Sequence, residues 1–413
     1  MVDAVVSEQP TLHLRDTLPG NAVPLVHVDA VTDETLRRYG DYAADTACGA
    51  AQHPGWVEAW ARTRSSEMLL LSLGFAGRTV LMMPLEVVRQ RGCRIARAIG
   101  GNHANGNFPA ISPDDAHLLT ANTVAAMLTG LRSARPDIDL LLIERQTASI
   151  NGVANPFAHI ANVPSANIAL ALDLGCGFDA VLDRVGRKRR LKKHRAQTRK
   201  LEAAGGLKRI EAKTPDEVER LVAAFLSQKA ERFQHLGIRN VFADMQPFLT
   251  TLFKEAQSSS RPAFLLHGLE VGGTIRAVTG SSVVGDRIIC EFGSIVEDEL
   301  AHASPGDFLF FLNIEDAARQ GFKTYDFSVG DEAYKRSWCD IEMQQFDTIA
   351  PLSLKGRAYA LAIQGMIGAK RRIKANDKLW ALLKRVRRGA ASARSTSASS
   401  ADASSSDGNG GGG

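Results

Sequence analysis

Glu291, Asp331, Tyr334 and Lys335 are the residues of this chain whose types and spacing could do chemistry. Three of them fall in the stretch GFKTYDFSVGDEAYKRSW, residues 321–338. Its pattern predicts a helix ending at Gly321, a strand over 324–329, a stop at Gly330-Asp331, and a polar turn of helix carrying Tyr334, Lys335 and Trp338. Open α/β sheets place their chemistry just beyond the carboxyl ends of buried strands. A phenol there can protonate a departing group, and Lys335 and Arg336 give it electrostatic support. Glu291 sits in an earlier predicted strand (Ile288-Ile-Cys-Glu-Phe) and could take a proton from an amine or hydroxyl if it faces the same cleft. A purely structural alternative exists: Asp331 caps the short helix while Tyr334 and Trp338, four apart, pack on the sheet.

The elements that must position these residues form a weak internal repeat. In the first half a hairpin spans 68–75 and 79–88 around Ala76-Gly77-Arg78, followed by a helix over 114–133 and a strand over 137–144. In the second half a hairpin spans 263–270 and 274–284 around Val271-Gly272-Gly273, with a third strand over 287–296. A helix over 306–320 and the strand over 324–329 complete it. Glycine turns between β-rich runs are hairpin signals, and helices leading into further strands make the fold mixed α/β. Between the units come a strand over 167–174, a long basic helix ended by Gly205-Gly206, and a helix over 215–234. The expected organisation is a flexible lead (1–22), two α/β domains (23–165 and 166–352), C-terminal helices (353–389) and a Ser/Ala/Gly-rich disordered tail (390–413).

At 413 residues and 45% hydrophobic content the chain can build more than one core. No apolar run approaches the roughly 20 residues of a membrane span. The start has no basic segment followed by an apolar run, as a signal peptide would. Five scattered cysteines with no CxxC pair fit reduced thiols and exclude a zinc-ribbon pattern. The expected location is the cytoplasm, and no metal is expected. GxSxG, Walker and HExxH motifs do not occur, which removes support for serine hydrolases, P-loop enzymes and zinc proteases.

The net charge of +5 conceals a segregation. Residues 187–200 carry nine Lys/Arg and no acid, and residues 370–388 carry nine Lys/Arg and one acid, leaving −12 for the rest. Charges at that density repel unless an anion relieves them, so Arg187, Arg190 and Lys193 are candidates for donor phosphates, a tRNA or a lipid headgroup. As a helix, this segment would place Leu191, His194, Thr198 and Leu201 on one face. The bland reading is a surface helix paired with acidic patches elsewhere. The segment around Trp380 would suit peripheral contact with an anionic membrane, or core packing.

Three further motifs have two readings each. Asp173-Leu-Gly-Cys-Gly177 looks like the first motif of S-adenosylmethionine-dependent methyltransferases, but the stretch that should supply a ribose-binding acid is basic. Ser304-Pro-Gly-Asp307 reads as a helix start with Ser304 as N-cap and Asp307 completing a capping box. Its free N–H groups, at Ser304 and Gly306, could instead take an anion, against four nearby carboxylates. The amide-rich loop Gly100-Gly-Asn-His-Ala-Asn-Gly-Asn-Phe-Pro109 could bond a sugar or peptide, or be a turn.

Together these residues resemble the CelD/BcsL-like acetyltransferases linked to bacterial cellulose and exopolysaccharide production, within the GNAT superfamily and near FemAB-type transferases. The resemblance lies in Gly55-Trp56 with Trp60, Leu81-Met-Met-Pro-Leu85, the basic helix ending at Leu201-Glu-Ala-Ala-Gly-Gly206, and Ser304-Pro-Gly306. Its most specific part is Tyr325-Asp-Phe with Gly330-Asp331 and Tyr334-Lys-Arg-Ser-Trp338. It implies two tandem GNAT-like halves and transfer of an acyl group from acyl-CoA (acetyl-CoA) to a small-molecule, glycan or peptide acceptor. In that reading Glu291 is the base, Tyr334 the acid and Lys335 an oxyanion partner. Where GNAT enzymes carry a Q/RxxGxG/A pyrophosphate loop, this sequence has His302-Ala-Ser-Pro-Gly-Asp307. The alternatives are an aminoacyl-tRNA donor, as in FemAB-type proteins, a methyltransferase, or a non-catalytic protein that binds anionic ligands. Nucleic acid is expected as a partner only as tRNA in the first of these.

Overall fold

The computed structural model describes residues 23–160 and 162–375. The expected lead, the tail and the apolar–basic stretch around Trp380 lie outside the described residues. The first half contains β1 (Leu25–Ala30), α1 (Asp33–Ala43), α2 (Pro54–Thr63), β2 (Glu67–Phe75), β3 (Arg78–Gln90), β4 (Cys93–Ala98), β5 (Ala110–Ile111), α3 (Ala121–Ala134) and β6 (Leu140–Gln146). The short pair β7 (Ser149–Ile150) and β8 (Val153–Ala154) leads to β9 (Asn162–Asp173). The second half contains α4 (Gly177–Val185), α5 (Arg187–Ala203), β10 (Leu207–Glu211), α6 (Pro215–His235), α7 (Gln246–Ala256), β11 (Phe264–Val271), β12 (Thr274–Val284) and β13 (Arg287–Ile295). It continues with α8 (Pro305–Arg319), β14 (Thr324–Val329), α9 (Ala333–Arg336), β15 (Ile341–Pro351) and α10 (Leu354–Ala375).

Among the described residues one mixed sheet runs through both halves, in the order β1-β2-β3-β4-β6-β15-β9-β14-β13-β12-β11-β10, with β5 paired to β3. The order is palindromic in kind. Each half contributes three antiparallel strands, then one parallel pair, β4 with β6 and β13 with β14. At the centre the closing strands are exchanged. β9, which follows β6 in the chain, lies against β14, and β15, which follows β14, lies against β6. The duplication read from the sequence is therefore real, but a boundary at 165/166 falls inside β9, and β15 completes the half it does not belong to in sequence.

Local sequence explains the corresponding hairpins. The turns Ala76-Gly77, Arg91-Gly92 and Gly272-Gly273 all have positive φ at both residues, which matches the twist of tight two-residue hairpins. The long helix α6 starts with Thr214 accepting from the Glu217 amide, Glu217 reaching back to the Thr214 amide, and Pro215 in the first turn. The helix expected over 114–133 is instead a 3-10 turn (Pro113–Leu118) followed by α3, because Thr120 starts a fresh helix by accepting from Thr123. The expected long basic helix is α5, and a separate short helix, α4, precedes it across Gly186, whose φ of 86° suits glycine.

One core joins the halves. Trp56 and Trp60 of α2 pack edge-on against Phe248 of α7 at ring separations of 5.0 and 4.9 Å, within a cluster that also holds Tyr39, Phe225, Leu252 and Phe253. A second cluster, with Phe310, Phe311, Tyr325 and Trp338, lies under α8 and α9.

Candidate active site

In the second half β13 and β14 pair for three residues, Arg287 to Ile289 against Thr324 to Asp326, and their pairing stops there. The next turn of β13 is irregular. Ser281 faces Cys290 and Gly280 faces Phe292, so Glu291 is the extra residue of a β-bulge. Bulges re-aim a side chain and interrupt the ladder beside active sites. Gly280 makes this one possible: a Cβ on it would lie 2.1 Å from the Phe292 ring.

The bulge turns Glu291 toward the first half. Its carboxyl accepts from the Asn105 amide at 3.2 Å and from the Ser282 hydroxyl at 2.9 Å. Burial pushes it up to about 7; the two hydrogen bonds and Arg145 oppose this, while Asp326 adds to it. Burial wins because it disfavours the charged form more than two neutral donors favour it. Asn105 is fixed in turn by Arg145, which donates to its side-chain oxygen at 3.2 Å and to the Asn102 and Gly101 carbonyls at 3.0 and 2.7 Å.

A cleft of about 460 Å³ separates the halves, lined by Asn105, Thr147, Arg287, Asp326, Ser328 and Gln344 among others; Glu291 is not itself in that lining and reaches it through Asn105. Asp326 is buried, accepts from the Ser328 amide at 2.6 Å, and pairs with Arg287 at 3.3 Å. Burial raises its pKa against the pull of Arg287. Two acids in unlike surroundings, Asp326 in the cleft lining and Glu291 behind Asn105, can divide proton-holding and proton-taking between them.

Tyr334 is 44% exposed on α9, its ring stacked on Phe310 at 5.7 Å and edge-on to Phe327 at 6.2 Å. Burial, Cys290 and Glu332 raise its pKa, so the phenol keeps its proton at neutral pH. Tyr334 is not among the residues lining the cleft. Its surroundings and those of Glu291 meet at β13, where Cys290 and Glu291 are consecutive. Lys335 is buried and committed: its ammonium donates to the Val329 carbonyl at 2.8 Å and pairs with Glu332 at 3.0 Å. It clips α9 to the end of β14. Asp331 pairs with Arg336, and Glu332 rather than Asp331 stands at the N-cap of α9. Trp338 is buried, with its indole N–H on Asp307 at 3.2 Å.

The cations assigned to donor phosphates each have an acidic partner within the protein. Arg187 pairs with Asp179 and Asp183 at 2.6 Å each. Arg190 is buried, bonded to Asp307 and to the Ser337 carbonyl, and lies 3.8 Å from the Trp338 ring centre. Lys193 pairs with Asp307 at 2.8 Å. The inward face of α5 is therefore Arg190, His194, Gln197 and Leu201, not the stripe through Leu191 and Thr198, because the half-buried Asp307 on α8 selects the cationic side. His194 stacks on Phe311 at 3.8 Å, and Gln197 donates to the carbonyls of Ala303 and Ser304. Ser304 does not cap α8: its φ of 53° is left-handed and its hydroxyl makes no cap bond. Asp307 does not close a capping box, since its carboxylate goes to α5. A Cβ on Gly306 would meet Ile295 at 2.7 Å, so its bareness serves packing. In the DLGCG motif Asp173 accepts from the Gly175 amide, an ordinary local turn.

The sequence reading missed Asn105, Ser282 and Arg145. Asn105 lay in the amide-rich loop, the one available signal; nothing local marks the other two.

Residues 187–336, about a third of the chain, match the Acetyltransferase (GNAT) domain model. The match holds α5, the Glu291 bulge, β14, Tyr334 and Lys335. The fold is that of FemX: 81% of this chain superimposes on 99% of that one with a TM-score of 0.54 at 10% identity. A tandem GNAT protein from the clavulanic acid biosynthesis pathway aligns over 80% of this chain and 99% of its own, with a TM-score of 0.43 and 14% identity. The C-terminal domain of a proposed lysylphosphatidylglycerol synthetase from Agrobacterium fabrum gives 0.49 at 12% identity, over 81% and 95%. Among curated proteins none matches the sequence. Among the described residues no helix is long and apolar enough to cross a membrane, and no cluster of three or more His, Cys, Asp or Glu could hold a metal.

Proposed function

We propose that this chain is a GNAT-type acyltransferase whose reaction centre lies in its second half, where β13 and β14 part. The observation that carries this reading is Glu291: a carboxyl turned by a strand bulge onto Asn105, a residue of the cleft wall, with its pKa near 7. A general base is most effective when its pKa lies near the working pH. Glu291 takes a proton from an amine or hydroxyl acceptor as that atom attacks the acyl carbonyl. The new C–N or C–O bond forms, the bond to the departing sulfur or oxygen breaks, and Tyr334 gives that atom its proton. Backbone N–H groups released from the ladder by the bulge stabilise the oxyanion. Lys335 acts by holding α9, and with it Tyr334, against β14.

The parting of β13 and β14 suits the narrow thioester end of an acyl-CoA. The start of α8 does not suit its pyrophosphate: α5 covers it, and Asp307 stands there already paired with Arg190 and Lys193. That closed helix start favours, as a second reading, an aminoacyl-tRNA donor whose phosphates lie elsewhere. In both readings the acceptor is a small molecule, glycan or peptide of the cytoplasm, and a role in cellulose, exopolysaccharide or envelope production follows the family resemblance.

A thermal-shift panel of acyl-CoAs, aminoacyl-tRNA and S-adenosylmethionine tests the proposal. Stabilisation by acyl-CoA, followed by thiol release with an acceptor, is expected. Stabilisation by aminoacyl-tRNA alone selects the second reading. Stabilisation by S-adenosylmethionine alone, or by none of the three, contradicts acyl transfer.

A further inference from the structure

A larger cleft, of about 810 Å³, lies between the first half and the segment before α7, and acyl transfer at Glu291 does not use it. Its walls are the end of α2, strands β3 and β4, the loop after β4, and the segment before α7. Three guanidinium groups line it, from Arg64, Arg97 and Arg239. The buried acid facing them, Glu86, is already satisfied by Arg97 Nε at 2.8 Å and by the Trp60 indole at 3.2 Å. Arg97 lies flat on bare backbone, since a Cβ on Gly101 would sit 2.9 Å from its guanidinium carbon. Arg64 gives one N–H to the Asp244 carbonyl at 2.8 Å. Arg239 is exposed and has no ion pair or hydrogen bond among the described residues. The acid at the rim, Asp244, leaves the cleft with one more cation than anion. His103 adds no charge at neutral pH, because burial and the cations Arg145, Arg64 and Arg97 hold it down to about 4. The Ser66 hydroxyl is buried, lines this cleft and has no partner. Thr63, Ser65, Asn102 and Asn240 supply further hydroxyl and amide groups.

Unpaired guanidinium edges recognise carboxylate or phosphate, and surrounding hydroxyls and amides recognise hydroxyl groups. We propose that this cleft is a second ligand site that binds a small hydroxyl-bearing anion, a sugar acid or a sugar phosphate. The volume is that of a small-molecule site. Its position also ties it to Glu291. Gly100, Asn102 and His103 wall this cleft, while Asn105, two residues on, holds the Glu291 carboxyl. The site stands on its own lining and does not depend on the acyl-transfer reading.

Isothermal titration of the full-length protein with glucuronate, glucose 1-phosphate and glucose tests it. At least one of the two anions should bind saturably, and glucose should not. Preference between the anions tells carboxylate from phosphate recognition. Arg239→Gln and Ser66→Ala should each weaken that binding about tenfold, the scale of one lost hydrogen bond to a charged group, with melting temperature unchanged. Binding of neither anion, glucose binding as well as the anions do, or full affinity in both variants overturns the proposal.

Discussion

In the first half β4 and β6 run parallel for three residue pairs, as β13 and β14 do in the second. Both inner strands then carry the same irregularity. The register of β6 against β15 shifts between Ile143 and Gln146, and that of β14 against β9 between Asp326 and Val329. In each shift one non-glycine residue is left-handed, Arg145 at φ 52° and Ser328 at φ 62°. What differs is the side chains. Position for position, Ile143 stands where the second half has Asp326, and Arg145 where it has Ser328. Arg145 reaches across to the Gly101 and Asn102 carbonyls and laces the first opening shut. Ser328 is too short to do so, and the second opening keeps two acids. On the proposed function a duplicated backbone thus yields one half that supports and one that reacts, and the lacing arginine also holds Asn105, the partner of Glu291.

The largest effect that would break this contrast is on turnover. Glu291→Gln should cut acyl transfer by about 10²–10⁴-fold, the scale of a lost general base, while donor-induced thermal stabilisation persists. Turnover within threefold of wild type would remove the asymmetry. Next comes stability. Arg190→Ala removes its bonds to Asp307 and the Ser337 carbonyl, leaves Asp307 on Lys193 and Trp338, and should cost about 1.5–3 kcal/mol in denaturant unfolding. A stable variant with weakened donor binding would restore Arg190 to the donor site. The left-handed pair then offers a direct comparison. Ser328→Gly should stabilise by up to about 1 kcal/mol by relieving strain. Arg145→Gly relieves the same strain but should destabilise, since it loses three charge-assisted hydrogen bonds of about 1.5–3 kcal/mol each. Equal effects would mean that the lacing is inert. The smallest effect is a shift in pH dependence. Asn105→Ala removes a bond that lowers the Glu291 pKa, so the acid limb of kcat/KM should move above 7, with little change at pH 9.

Much of this was legible in the sequence where it is local. The three strands over 264–295, the strand 324–329 and the tight glycine turns depend on short-range pattern, and the structure has them where the pattern puts them. The exchange of β9 and β15 was not legible, because which strand pairs with which is settled at long range. The basic helix shows the limit most clearly. Its charge density reads as a surface awaiting an anion, yet Asp307, far along the chain, takes two of its cations. Lys335 misleads similarly: beside Tyr334 it looks chemical, but its ammonium is used to finish the end of β14. Glu291 was legible as a strand acid. Its bulge was not, since only pairing with Gly280 and Ser281 reveals the extra residue.

The central claim is that Glu291, titrating near neutrality, is the base. The most direct test is the pH dependence of kcat/KM for thiol release from the acyl-CoA found by the panel, in wild type and in Glu291→Gln. The ionised carboxylate is the active form, so wild-type activity should rise through pH 7 and level off above it. The variant should be slow and lack that limb. A variant that keeps the same rise through pH 7 would show that another group titrates there, and the second half would lose its claim to the chemistry.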